Sequence, residues 1–150
     1  MPETSIRLPF GDGEYDFRLG LAQINEIQHQ CNTGIGAVFA RVLKGRFFQV
    51  TDDGPVAFGD PSQAEYRIED LLATIRQGLI GGGKGVVDGV EVAVDATRAN
   101  DLVKNYVTGG TTPLKVAWEL AAAILSVAIE GYDPPGETAK KKEAEAVTDT

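Results

Sequence analysis

The stretch Arg76–Gly89, "RQGLIGGGKGVVDG", has the residue spacing closest to a known chemical motif. Gly78 followed by Gly83-Lys84 reproduces the spacing of a phosphate-binding Walker A loop. A working loop also needs a hydroxyl directly after the lysine to bind Mg²⁺, a strand before it and a helix after it. Gly85 occupies the hydroxyl position, and a helical pattern precedes the glycines. The sequence therefore predicts a helix end and a turn here, and no nucleotide site.

Nucleophilic catalysis and metal binding have equally little support. His29 is the only histidine and Cys31 the only cysteine, two positions apart in a predicted helix, where residues i and i+2 do not face each other. We predict a polar-face histidine and a small core cysteine. A single cysteine also excludes an intrachain disulfide and a multi-thiolate metal site. Asp52-Asp53-Gly54 lacks the alternating acids of a calcium loop, so we predict a turn. We expect no enzyme, no cofactor and no metal.

Composition is typical of a globular protein, with 43% hydrophobic and 24% charged residues in a chain of 150. The net charge of −8 argues against nonspecific nucleic-acid binding. The longest apolar run, Leu114–Ile129, contains two charged residues and is shorter than a membrane span. We therefore predict a cytoplasmic protein with no membrane partner, one globular domain over residues 1–131, and a disordered polar tail over residues 132–150.

Hydrophobic periodicity predicts a mainly α (α+β) fold, with four to five helices packed around a central C-terminal helix and an N-terminal β-hairpin at Gly11-Asp12-Gly13. Residues 46–63 are rich in turn formers and predict a long loop that starts with a short strand, and "VVDGVEVAV" predicts a turn with extended flanks. The predicted helices cover about Leu21–Cys31, Ile35–Gly45 (a second helix, or the first continued after a bend), Ile68–Gly81, Ala96–Val107 with Asp95 as N-cap, and Pro113–Gly131 with Thr112 as N-cap and Pro113 at the first helical position.

The last predicted helix is apolar on nearly all sides. Only Lys115, Glu119, Ser126 and Glu130 form a thin polar stripe along it. Such a helix either lies at the centre of its fold or is covered by a partner. The pattern is also compatible with a homo-oligomer.

Three stretches of the chain resemble one family of phage-tail proteins. They are "FGDGEYDFRLGLAQINEIQHQCNTGIGAVFARV", "YRIEDLLATIRQGLIGGG" and "AVDATRANDLVKNYVTGGTTPLKVAWELAAAILSVAIEG", and they span about Phe10 to Gly131. Together they are similar to the gene-transfer-agent family of tail proteins. The most specific piece is Ile75–Gly83, which looks like the family's "I-R-x-G-L-I-G-G-G" signature. The connection at residues 45–66 is longer than the resemblance leads us to expect.

The resemblance implies a tail assembly chaperone, although the family is also labelled tail tube protein. Such a chaperone binds the tape measure protein until tail tube protein polymerises around it, without active site or cofactor, in the cytoplasm of the producing bacterium. The alternative is a structural tail component retained in the finished phage or gene-transfer particle. A tube subunit needs extensive strands, and one convincing hairpin favours the chaperone. The motif residues expected to shape a partner-binding edge are Arg76, Gly78, Leu79, Ile80, Gly81, Gly82 and Gly83.

Overall fold

Short antiparallel hairpins alternate with helices along the chain. The computed structural model describes residues 3–44, 48–57, 67–110 and 113–132. The elements are β1 Ser5–Phe10, β2 Gly13–Arg18, α1 Leu21–Cys31, α2 Ile35–Lys44, β3 Phe48–Thr51, β4 Gly54–Ala57, α3 Ile68–Gly82, β5 Lys84–Val87, β6 Val90–Ala93, α4 Ala96–Val103 and α5 Leu114–Glu130. The predicted α+β class, with its helices and N-terminal hairpin, is confirmed.

Four strands form one antiparallel sheet in the order β1-β2-β5-β6. Side chains alternate along β2, so Tyr15 and Phe17 face the core while Glu14 and Arg18 are exposed on the other face, where Asp16 is covered by its ion pairs with Arg7 and Lys84. The β5–β6 turn at Asp88-Gly89 has positive φ at both residues (51° and 78°), as a two-residue hairpin turn of type I′ requires. The extended flanks predicted for this segment are thus confirmed as a hairpin.

Helix α3 lies at the centre of the helical layer together with α5. It packs against α1, α4, α5 and strand β2, and eight of its fifteen residues are buried. Helix α5 packs against both α3 and α2. The Trp118 indole nitrogen Nε1 donates a hydrogen bond of 2.7 Å to the backbone oxygen of Val42, which fixes α5 on α2. The buried core lies between the inner face of the sheet and these helices.

Several predicted boundaries agree with the structure and others need correction. Helices α1 and α2 are separate, with Asn32 in the left-handed conformation after the first. Pro113 occupies the N-cap of α5 rather than its first helical position, and Thr112 lies outside the described residues. Helix α4 ends at Val103, because the backbone continues as a π-helical turn over Lys104–Thr108 in which the Gly109 amide donates to the Lys104 oxygen.

The predicted long loop contains a second, two-stranded sheet. Strands β3 and β4 pair with each other, and the Thr51–Gly54 pair closes a two-residue turn at Asp52-Asp53. The turn residues were read correctly, but the alternation of the short flanking runs was too weak to predict both strands. Residues 45–47 and 58–66 of this connection lie outside the described residues.

The described chain ends beside its start. Glu3 and Tyr132 exchange two backbone hydrogen bonds of 2.8 Å in an isolated antiparallel bridge. The tail predicted from residue 132 onward otherwise falls on residues 133–150, outside the described residues. No helix within the described part of the chain is long and apolar enough to span a membrane.

Candidate functional site

A groove of about 600 Å³ lies beside the first half of α5. Its walls are the β1 end with the following turn, the π-helical turn, and α5 itself. Apolar and aromatic side chains contribute most of the lining, notably Leu8, Phe10, Tyr106, Val116 and Leu120. This volume is within the ~300–1,000 Å³ range of pockets that bury a compact ligand. We call this feature the α5 groove.

An aromatic cluster builds the wall formed by β1. The Phe10 ring makes edge-to-face contacts with Tyr15, Phe17 and Tyr106, at centroid distances of 6.3, 6.1 and 6.1 Å. Gly11, at φ 60°, leaves room for Tyr106, because a Cβ there would lie 2.4 Å from Tyr106 Cδ2. The wall is therefore held in place by the core-facing aromatic residues of β2.

Helix α5 presents a second apolar face to the groove. Val116, Leu120 and Ala123 follow one another at i, i+4 and i+7, so they lie in one row. Val116 is 52% exposed and Leu114 43% exposed, although both are large apolar residues in an ordered helix. Adjacent exposed apolar side chains that line a concavity indicate a binding surface more than scattered ones do.

Glu119 is the one charged residue among the described residues that line the groove. Its carboxylate lies 3.7 Å from Lys115 Nζ, one turn earlier on α5, and both side chains are about half exposed. An exposed i,i+4 pair of this length contributes only about 0.3–0.5 kcal/mol. The Glu119 carboxylate is therefore available to another cation at little cost.

The glycine motif has an internal role in the fold. None of the seven motif residues lines the groove. A Cβ on Gly81 would lie 1.9 Å from the Arg18 carbonyl oxygen, and one on Gly82 would lie 1.8 Å from the Asp16 oxygen. The two glycines therefore allow the end of α3 to touch the backbone of β2 directly. Gly83, at φ 72°, ends the helix, and its N–H donates to the Leu79 oxygen.

The other motif residues also face the protein's own core. Gly78 and Leu79 are buried, and a Cβ on Gly78 would meet Ile124 and Phe17 at 3.2 Å. Ile80 packs against the core, and Arg76 Nη1 donates to Gln30 Oε1 at 3.4 Å. A contact of these seven residues with a partner stays a prediction. A bulky residue at position 78 would disturb the contact between α3 and α5, so Gly78→Leu is not a selective test of partner binding.

The candidate nucleophile is poorly placed for chemistry. Cys31 is 8% exposed while His29 is exposed, so the two point apart as predicted from their spacing. Burial, with a smaller contribution from the nearby Asp70 carboxylate, raises the pKa of the Cys31 thiol to about 12. The thiol is thus protonated and unreactive near neutral pH. No group of three or more potential metal ligands occurs in the described residues.

Sequence reasoning missed the groove because three distant segments form it. Leu8 and Phe10 were placed in the first hairpin, Tyr106 on the fourth helix and Val116 on the last, without a reason to bring them together. The one feature of the sequence that indicated a groove was the composition of α5, which has more apolar residues than a single buried face requires.

One family model matches the chain over residues 3–52, and its description is "Phage tail tube protein, GTA-gp10". The match spans 50 of the 150 residues and includes β1 and the turn that form one wall of the groove. It supports the resemblance to a gene-transfer-agent tail family. No curated protein and no solved structure matches the chain significantly.

Proposed function

We propose that this chain is a non-enzymatic tail assembly chaperone. Its α5 groove holds an apolar helical segment of the tape measure protein until tail tube protein replaces it. The chain performs this function in the cytoplasm of the producing bacterium and leaves before the particle is complete. The family match supports a place in tail assembly, and the groove supports the mode of binding.

The observation that carries this proposal is the apolar row on α5, in which Val116 is exposed and Leu120 and Ala123 are half-buried. A helix that binds in a groove uses apolar anchors at i, i+3, i+4 and i+7, which need a concave apolar surface of a few side chains' width. Val116, Leu120 and the rings of Phe10 and Tyr106 line such a surface. Affinity must be moderate, because a partner held too tightly could not be transferred to tail tube protein.

A second candidate function is a structural tail component that stays in the particle. The description of the matching family as a tail tube protein favours it. The described strands also leave one side of β1 and one side of β6 without a neighbour in the sheet. Strands of adjacent subunits can extend a sheet at such edges. The four described strands of this sheet are only four to six residues long, which favours the chaperone.

Quantitative mass spectrometry of purified tail particles and of the producing-cell lysate separates the two functions. We expect peptides of this chain to be abundant in the lysate, to co-purify there with the tape measure protein, and to be depleted from finished particles. Copies in the particle at a fixed ratio to tail tube protein would contradict the chaperone and support the structural component.

A further inference from the structure

We infer that the α5 groove selects a cationic amphipathic helix, with a lysine or arginine beside the apolar anchors. This inference rests on the proposed function, because it assumes that a helix docks in the groove. The proposed function specifies an apolar helix, and the inference adds that this helix is positively charged. The charge would distinguish helical segments that bind from those that do not.

One carboxylate lines the groove, and a second lies in the hairpin turn next to the lining residues. Glu119 is on α5, and Asp12 is in the turn of the first hairpin, between the lining residues Gly11 and Gly13. Asp12 is exposed, and its Oδ1 accepts a hydrogen bond of 2.5 Å from the Tyr15 hydroxyl. No described lysine or arginine lines the groove. Lys115, which does not line the groove, forms only the weak exposed pair with Glu119, so the local charge still favours a cation on the partner.

The aromatic residues at the rim favour the same kind of partner. Tyr106 is 36% exposed beside Phe10, so its ring is held by the core on one side and accessible to a ligand on another. A lysine or arginine that reaches Glu119 can also approach an aromatic ring, an interaction worth roughly 0.5–1 kcal/mol at exposed sites.

A second copy of this chain is a poorer occupant. Each copy has a net charge of −8, so two copies of the chain repel each other electrostatically as they approach. A groove of about 600 Å³ also accommodates only a few side chains, whereas a stable dimer buries ~800 Å² on each partner. A short basic helix satisfies both the charge and the size of the site.

Two synthetic helical peptides test the inference directly. Both have the same leucine anchors at i, i+3, i+4 and i+7, and they differ only in carrying lysine or glutamate at the flanking positions. We expect fluorescence anisotropy with the full chain at low salt to show binding of the lysine peptide roughly tenfold tighter than the glutamate peptide. The ratio should decrease at high salt, because the charges are exposed.

Glu119→Gln should reduce the roughly tenfold preference to about threefold or less. The matched control is Glu130→Gln, which removes an exposed carboxylate at the other end of the same helix, outside the groove. This control should keep the full preference. Equal affinities for the two peptides, or a preference unchanged by Glu119→Gln, would overturn the selection for a cationic helix. The binding of a helix through its apolar anchors would not be affected by that result. Binding of neither peptide would overturn helix docking itself, and with it this inference.

Discussion

Gly82→Ala is expected to lower the free energy of unfolding by about 3 kcal/mol, which is at the upper end of the usual cost of overpacking a core. The added Cβ would lie 1.8 Å from the Asp16 carbonyl oxygen and 2.4 Å from its carbonyl carbon. Both are backbone atoms of β2, so no rotamer change can relieve the contact. Either α3 or β2 must shift, and this loosens Tyr15 and Phe17, which β2 places in the core. Denaturant unfolding followed by circular dichroism gives the value.

Gly36→Ala is the matched control for this prediction. Gly36 also lies in a helix, α2, but apart from its chain neighbours and the backbone of α2, no atom of the described residues lies within 4 Å of its added Cβ. Alanine has the higher helix propensity, so the substitution should raise stability by up to about 1 kcal/mol. If both variants unfold at the denaturant concentration of the wild type, the contact between α3 and β2 is not as close as described.

Val116→Asp is expected to weaken binding of the tape measure protein by about 30-fold, which corresponds to roughly 2 kcal/mol. Val116 is 52% exposed and lines the groove, so the change places a carboxylate beside Glu119 on a surface that must become dry. The fold should be unaffected, because Val116 is the third residue of α5 and an acid near a helix N-terminus is favourable. Co-purification from lysate and an unfolding curve measure the two effects.

Ile129→Asp controls for the loss of an exposed apolar residue. Ile129 is 46% exposed on the same helix, but it lies outside the groove. We expect this variant to retain the tape measure protein. Equal retention by the Val116 and Ile129 variants would mean that the partner binds elsewhere, and equal loss would mean that the effect is not specific to the groove.

Local patterns predicted much of the fold. Leu21, Ile24, Ile27 and Cys31 recur at near-helical spacing, and α1 covers the predicted range Leu21–Cys31. The Gly-Asp-Gly turn predicted the first hairpin of the main sheet, and Asp88-Gly89 predicted a turn with extended flanks where the second hairpin lies, because glycine and aspartate tolerate the positive φ found at Gly11, Asp88 and Gly89. Asp95 was predicted as an N-cap, and its Oδ1 accepts a hydrogen bond from the Arg98 amide.

Long-range contacts were beyond local patterns. The glycines after Gly78 predicted a helix end, but not that Gly81 and Gly82 touch the β2 backbone, which depends on how α3 meets the sheet. Tyr106 was placed on an apolar helix face, whereas the π-helical turn directs it to Phe10 and the groove. The groove likewise depends on the packing of three segments that are far apart in sequence.

The most direct measurement is photo-crosslinking from the groove in producing cells. A photoreactive phenylalanine analogue replaces Val116 in one strain and Ile129 in another, and mass spectrometry identifies the crosslinked proteins. We expect position 116 to crosslink to a helical segment of the tape measure protein in the lysate, and position 129 not to do so. Crosslinks from position 116 to tail tube protein in finished particles, with none to the tape measure protein, would contradict this expectation.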